Sequence, residues 1–216
     1  MQQVNTKAQS ITAPFVFETE EETEKNGFEN ESVKVHRWTR DEYYKMAELG
    51  FFHGKRVELI EGEVIEMSPM KSLHATVIRL VLDIMRDVFG KGYVIDSQLP
   101  MSFSPASEPE PDVAIVRGSV KDYIDSHPKT AELIIEVSDT TLRYDQTKKA
   151  VLYAGNKIQE YWILNLKNRS LEVYRRPIRD KQLGFIYTEI QILTGKDSIS
   201  PLAAPEAKIK VADILP

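Results

Sequence analysis

The chain has 216 residues, of which 42% are hydrophobic, a formal net charge of −5 and no cysteine. That length suffices for one domain with a substantial core, and the lack of cysteine excludes disulfides, thiolate-bound zinc and a cysteine nucleophile, leaving carboxylates and four histidines as metal ligands. No apolar run approaches the roughly 20 residues of a membrane-spanning helix and the N-terminus lacks the basic-then-apolar order of a secretory signal, so a cytoplasmic protein with no membrane partner is expected.

Residues 1–32 hold seven acids and two bases, which accounts for the whole net charge and leaves the remainder neutral. This acidic segment has no sustained periodicity and is expected to be a disordered tail, with Phe15-Val16-Phe17 as a short docking segment. The folded domain is expected over 33–216. A neutral body gives no positive support for high-affinity, non-specific binding of a polyanion, although it can carry a local basic face.

Thr39 with Glu42 three positions on predicts a capping box, opening a helix to about Leu49 that Gly50 ends. Arg56–Ile60 and Glu63–Met67 flank Glu61-Gly62, a hairpin signal. From Ser72 apolar residues recur at helical spacing until Gly90, predicting the longest amphipathic helix, packed across a sheet. Strands are predicted at Tyr93–Ser97, Met101–Phe103 and Asp112–Val116, and a short helix at Val120–Ser126. A strand through Glu136, a helix over Asp145–Ala154 and strands at Tyr161–Asn165, Leu171–Tyr174, Phe185–Ile192 and near Ile199 complete the order. The fold class is α/β, a mixed sheet covered by a few helices.

Glu136 interrupts the apolar run Leu133-Ile134-Ile135-Glu136-Val137, and Pro111-Asp112 opens the run Val113-Ala114-Ile115-Val116. A carboxylate inside a buried strand is costly unless a positive partner compensates it, and a metal ion is one of few partners strong enough. Asp145, Lys149 and Tyr153 follow at four-residue spacing, so a helix places all three on one face beside the Glu136 strand. Hard oxygen ligands favour magnesium or manganese over zinc. Each residue also has a plainer reading. Asp112 could cap a turn after proline, Glu136 could form a buried ion pair with Lys149 or Arg143, and Lys149 and Tyr153 could edge a solvated helix face. Asp145 suits orienting Lys149 or capping its helix. His74 suits a helix surface, with a phosphate contact as its functional alternative. Tyr161, Trp162 and Tyr174 suit the core better than a base-stacking platform.

With Pro111-Asp112 and Glu136-Val137-Ser138, the chain resembles the PD-(D/E)xK superfamily of metal-dependent nucleases. More narrowly it is similar to a large bacterial family of restriction-endonuclease-like proteins of unknown function. The stretches that carry the resemblance are Val57–Glu63, Pro109–Val113, Ile135–Asp139, Asp145 with Lys149 and Tyr153, and Glu160-Tyr161-Trp162. Their order spans nearly the whole domain. The resemblance implies a restriction-endonuclease-like mixed β-sheet flanked by helices, and hydrolysis of nucleic-acid phosphodiesters, DNA foremost. It implies that Asp112 and Glu136, with the backbone carbonyl of Val137, hold Mg2+ or Mn2+. The superfamily's lysine two residues after the glutamate is Ser138 here; similar families carry it on the following helix, where Lys149 is the candidate and Lys148 a less favourably phased neighbour. Glu58 is the accessory carboxylate. A homodimer, with the C-terminal part ending in Ile214-Leu215-Pro216 contributing contact, would suit a two-stranded substrate. The alternative function is a catalytically inactive nuclease-fold module that binds nucleic acid or a protein partner, favoured by Ser138 and the neutral domain charge.

Overall fold

The computed structural model describes residues 34–215, so the acidic segment, the boundary at Val33 and Phe15-Val16-Phe17 lie outside the described residues. The chain separates into two units, Met1–His36 and Arg37–Pro216, and the fold below is that of the second. Helix α1 (Arg40–Glu48) opens on the predicted capping box: the Thr39 hydroxyl accepts from the Glu42 amide, and the Glu42 carboxylate accepts from the Thr39 amide at 2.8 Å. Strands β1 (Val57–Ile60) and β2 (Glu63–Glu66) pair antiparallel across Glu61-Gly62. Both turn residues have positive φ, 48° and 79°, as a tight primed turn requires. A Cβ on Gly62 would lie 2.6 Å from that of Arg37, so this turn also depends on the absence of a side chain.

Helix α2 (Ser72–Phe89) buries Val77, Ile78, Val81, Met85 and Phe89, a stripe at three- and four-residue spacing, and ends at Gly90 with φ of 56°. Strand β3 (Tyr93–Asp96) pairs antiparallel with β4 (Val113–Arg117), which pairs antiparallel with β5 (Leu133–Ser138). Next come a one-turn helix α3 (Leu142–Tyr144), a wide π-type turn over Asp145–Lys149, and α4 (Ala150–Gly155). The chain re-enters the sheet as β6 (Glu160–Asn165), parallel to β5, then β7 (Ser170–Asp180) and β8 (Gly184–Thr194), both antiparallel. The six-stranded order is β3-β4-β5-β6-β7-β8, and β5–β6 is its one parallel junction, which needs the intervening helical crossover. Strands β9 (Ser198–Ile199) and β10 (Ile209–Lys210) form a small separate ladder before α5 (Val211–Ile214).

Side chains alternate across the sheet. Val113, Ile115, Leu133, Ile135 and Val137 face α2 and α5. Ala114, Val116, Ile134 and Ile163 face α4. Val81 and Met85 are fully buried, each contributing roughly 1.5–3 kcal/mol by leaving water. Glu160 is also fully buried: it accepts from Trp162 Nε1 and Arg175 Nε, both at 2.9 Å, and from the Leu202 amide at 2.6 Å, fastening the segment after β9 to the sheet.

Two local expectations fail. Met101–Phe103 is not a strand, because its amides bond to loop carbonyls: Met101 to Pro109, Ser102 to Pro128 and Phe103 to Ser107. The predicted helix at Val120–Ser126 is a 3₁₀ turn over Val120–Tyr123, closed by the Ser119 and Asp122 side chains. Ile214 and Leu215 are buried in the core cluster with α2.

Candidate active site

Alternation along β5 turns Glu136 to the α4 face, with Ile134. It is 4% exposed, and one carboxylate oxygen, Oε1, accepts from Lys149 Nζ at 2.9 Å and from the Tyr153 hydroxyl at 2.6 Å. The four-residue spacing therefore does place Lys149 and Tyr153 on one face, at Glu136. The wide turn modifies that helix, since the Ala150 amide reaches back to the Asp145 carbonyl, five residues away. Such bulges recur at functional sites, where they re-aim side chains. Lys149 Nζ also lies 3.3 Å from Glu58 Oε1, so β1 delivers a second carboxylate to the same ammonium. Glu58 is fixed in turn by the Glu110 amide on Oε2, at 3.1 Å.

Asp112 stands at the entrance of β4, beside β5. Its Oδ2 accepts from the Val137 amide at 2.8 Å, and its own amide donates to Glu136 Oε2 at 3.3 Å, a reciprocal link between the two acids. His74, in the first turn of α2, places Nε2 3.1 Å from the same Oδ2. The helix-surface reading of His74 is thus replaced by contact with Asp112. Asp145 is buried and accepts from the Thr141 hydroxyl at 2.8 Å. Lys148 and Arg143 are both exposed, and of the three only Lys149 pairs with Glu136. Ser138, where the superfamily pattern wants lysine, is buried beside Thr141. Tyr161, Trp162 and Tyr174 are buried core aromatics. Sequence reading missed Gln98, whose Nε2 donates to Asp112 Oδ1 at 3.1 Å. No local pattern in the sequence marks it.

Burial dominates the electrostatics. It pushes the Glu136 carboxyl up to about 8, opposed by Lys149 and reinforced by Asp112, Asp145 and Glu58. Burial likewise pushes Asp145 up to about 6 against the pull of Lys149 and Thr141. For Lys149, burial opposes the charge, but Glu136, Glu58 and Asp145 outweigh it and hold the ammonium well above its ordinary range. Burial would raise Asp112 too, yet His74 and the Val137 amide together hold its carboxyl below the ordinary value. Four acids thus surround one buried lysine.

A model of the Uma2 family, described as "Putative restriction endonuclease", matches residues 40–212. The chain belongs to the Uma2 family. No curated protein matches it. Among solved structures, this Uma2 member is similar to a crystal structure titled as a putative nuclease belonging to DUF820 from Anabaena variabilis, with 17% sequence identity, a TM-score of 0.62, and coverage of 82% of this chain and 96% of that one. That likeness bears out the restriction-endonuclease-like mixed sheet. Family and fold together support a nuclease.

Restriction-endonuclease-like families generally use divalent metals, and the donor set of this chain can be tested for fit. Among the described residues no group of three or more acid, histidine or cysteine side chains is gathered closely enough to hold an ion by itself. A closed zinc-like cage is therefore not what the site offers. Asp112 Oδ2 and Glu136 Oε1 each accept two hydrogen bonds, whereas Asp112 Oδ1 and Glu136 Oε2 each accept one among the described residues. Two hard oxygens with spare lone pairs fit magnesium, which takes one or two carboxylates and keeps water in its other positions. The surplus of buried carboxylates fits a cation as well.

Proposed function

We propose that this chain is a Mg2+- or Mn2+-dependent endonuclease that hydrolyses phosphodiester bonds in nucleic acid, with DNA as the first substrate to test. The convergence of Asp112, Glu136, Glu58 and Lys149, drawn from the entrance of β4, from β5, from β1 and from the wide turn before α4, is the observation that carries this reading. Asp112 Oδ1 and Glu136 Oε2 would hold the cation. Val137 would add its carbonyl: the Val137 amide faces Asp112, Ser138 O faces β6, and an extended residue turns its N–H and C=O to the same side. The chemistry supplied by the cation, when bound, is polarisation of a water and neutralisation of phosphate charge.

The protein's own groups supply the rest. Lys149 and Tyr153 fix Glu136 Oε1 and so aim Oε2 toward Asp112. The Lys149 ammonium, kept charged by Glu58 and Asp145, orients the attacking water or stabilises negative charge developing on the phosphate. His74 approaches Asp112 from α2 and would contact a phosphate at the rim. Lys148 remains on the solvent side of the turn, where its charge can meet a substrate backbone.

One observation favours a second reading, an inactive module: Lys149 is only 6% exposed and already paired with two carboxylates. A single experiment separates the readings. Magnesium and manganese are titrated calorimetrically into wild type and Glu136→Gln, with cleavage followed on plasmid and single-stranded substrates. Binding lost in the variant with cleavage by wild type alone supports the nuclease. A folded wild type that binds neither ion makes Glu136 a structural partner of Lys149 and favours the inactive module. A homodimer would present two such centres to a duplex, and a monomer mass in solution removes that part of the proposal.

A further inference from the structure

Ser97 and Gln98 follow β3 directly, and consecutive residues of an extended strand point to opposite faces. Both nevertheless reach Asp112: Ser97 Oγ donates to its backbone carbonyl at 2.9 Å and Gln98 Nε2 to its Oδ1 at 3.1 Å. The alternation is broken at Gln98, which has φ of 54°, the left-handed region that is strained for a residue with a Cβ. The strained backbone is held by the Gln98 amide donating to the Pro111 carbonyl at 3.0 Å. Its side chain is held from the far side, since Arg56 donates to Gln98 Oε1 at 3.3 Å while also pairing with Glu110 at 3.2 Å. A glycine at this position would relieve the strain, so the side chain is what the conformation serves.

We propose that Gln98 is a positioning residue that orients Asp112 so that the remaining lone pair of Oδ1 faces the cation. The proposal rests on the metal reading of Asp112 and Glu136. His74 and the Val137 amide occupy Oδ2, and Gln98 sets the rotation of the carboxylate about its last bond by taking one direction on Oδ1. A neutral amide does this without competing with the cation for charge, as a lysine or arginine would. Groups that orient a ligand in this way typically change metal affinity by about 10–100-fold.

The test uses the full chain, with Mn2+ as the probe, in wild type, Gln98→Gly and Gln98→Met. Manganese affinity is read by electron paramagnetic resonance of the free ion, and folding by the thermal midpoint. Gln98→Gly is expected to bind Mn2+ about 10–100-fold more weakly, with a melting temperature equal to or above that of wild type. Gln98→Met, which keeps the length and the strained backbone but has no amide, is expected to lose affinity similarly and to melt below the glycine variant. Binding within twofold of wild type in both variants overturns the proposal. So does a lower melting temperature with unchanged affinity, which would make Gln98 a purely structural tie. A wild type that binds no Mn2+ overturns the metal reading first and this positioning role with it, an outcome distinguished by wild type alone.

Discussion

Lys149→Met removes the only basic group within hydrogen-bonding distance of Glu136 among the described residues and keeps most of the stem's volume. In metal-free buffer at pH 8 it leaves Glu136, Glu58 and Asp145 without their shared counter-charge. Removing one partner of a buried ion pair costs about 3–5 kcal/mol, which for a domain of this size lowers the thermal midpoint by about 6–20 °C. The loss depends on pH with a definite sign. Glu136 is raised from its ordinary 4.5 to about 8, so the folded state binds that proton more tightly than the unfolded chain. The stability this contributes is fully present below about 4.5 and is lost as pH rises through about 8. Removing Lys149 raises Glu136 further, so it keeps its proton at both pH values in the variant. The group that titrates in this window is Asp145, raised to about 6, which carries most of its proton at pH 5.5, so the deficit of the variant should be smaller there than at pH 8. Denaturant unfolding of both proteins at pH 5.5 and 8, with chelator and then with Mn2+, measures each quantity. A deficit below about 1 kcal/mol at pH 8, or one equal at both pH values, would refute the charge cluster as drawn.

The other outcomes concern ligand, frame and turn. Because a proton on Glu136 competes with a cation, Mn2+ affinity should rise about 10–100-fold between pH 6 and pH 8; calorimetry showing a flat profile would contradict the raised carboxyl. Glu160→Gln, on the opposite face of the sheet, should cost about 3–5 kcal/mol in denaturant unfolding by removing the buried charge that faces Arg175, yet leave Mn2+ affinity unchanged, and altered affinity would show the two faces to be coupled. Gly62→Ala forces a Cβ against Arg37 at positive φ, and a thermal melt should record a loss exceeding about 1 kcal/mol, with an unchanged midpoint counting against the tight turn.

Legibility in the sequence follows the range of the interactions involved. Thr39 with Glu42, Glu61-Gly62 and the stripe from Val77 to Phe89 are local signals, and each element appears where its pattern put it. Glu136, Lys149 and Tyr153 were legible because a carboxylate in an apolar strand and a four-residue spacing are also local. The Met101–Phe103 segment was misread because apolar residues need not form a ladder when loop carbonyls at Pro109 and Pro128 take their amides. Gln98 and the wide turn at Asp145–Lys149 left no trace, since neither a positive φ at glutamine nor a five-residue hydrogen bond has a composition signature. The approach of Glu58 to Lys149 depends on how the β1–β2 hairpin docks, which only tertiary packing decides.

The parallel junction between β5 and β6 has a kinetic meaning. Glu136, Lys149 and Tyr153 all lie within Leu133–Asn165, a single strand, crossover and strand, so their contacts close short stretches of chain. Asp112, Glu58 and His74 come from earlier segments and meet that unit only by closing longer loops, which costs more chain entropy. The cluster is thus two assemblies: a nucleus that can form early around Glu136, and a later arrival that brings Asp112 to it. By that measure the contact that closes the longest loop, Glu58 with Lys149, is made after the one that joins Asp112 to Glu136, so the accessory carboxylate is the last to arrive and the first to leave.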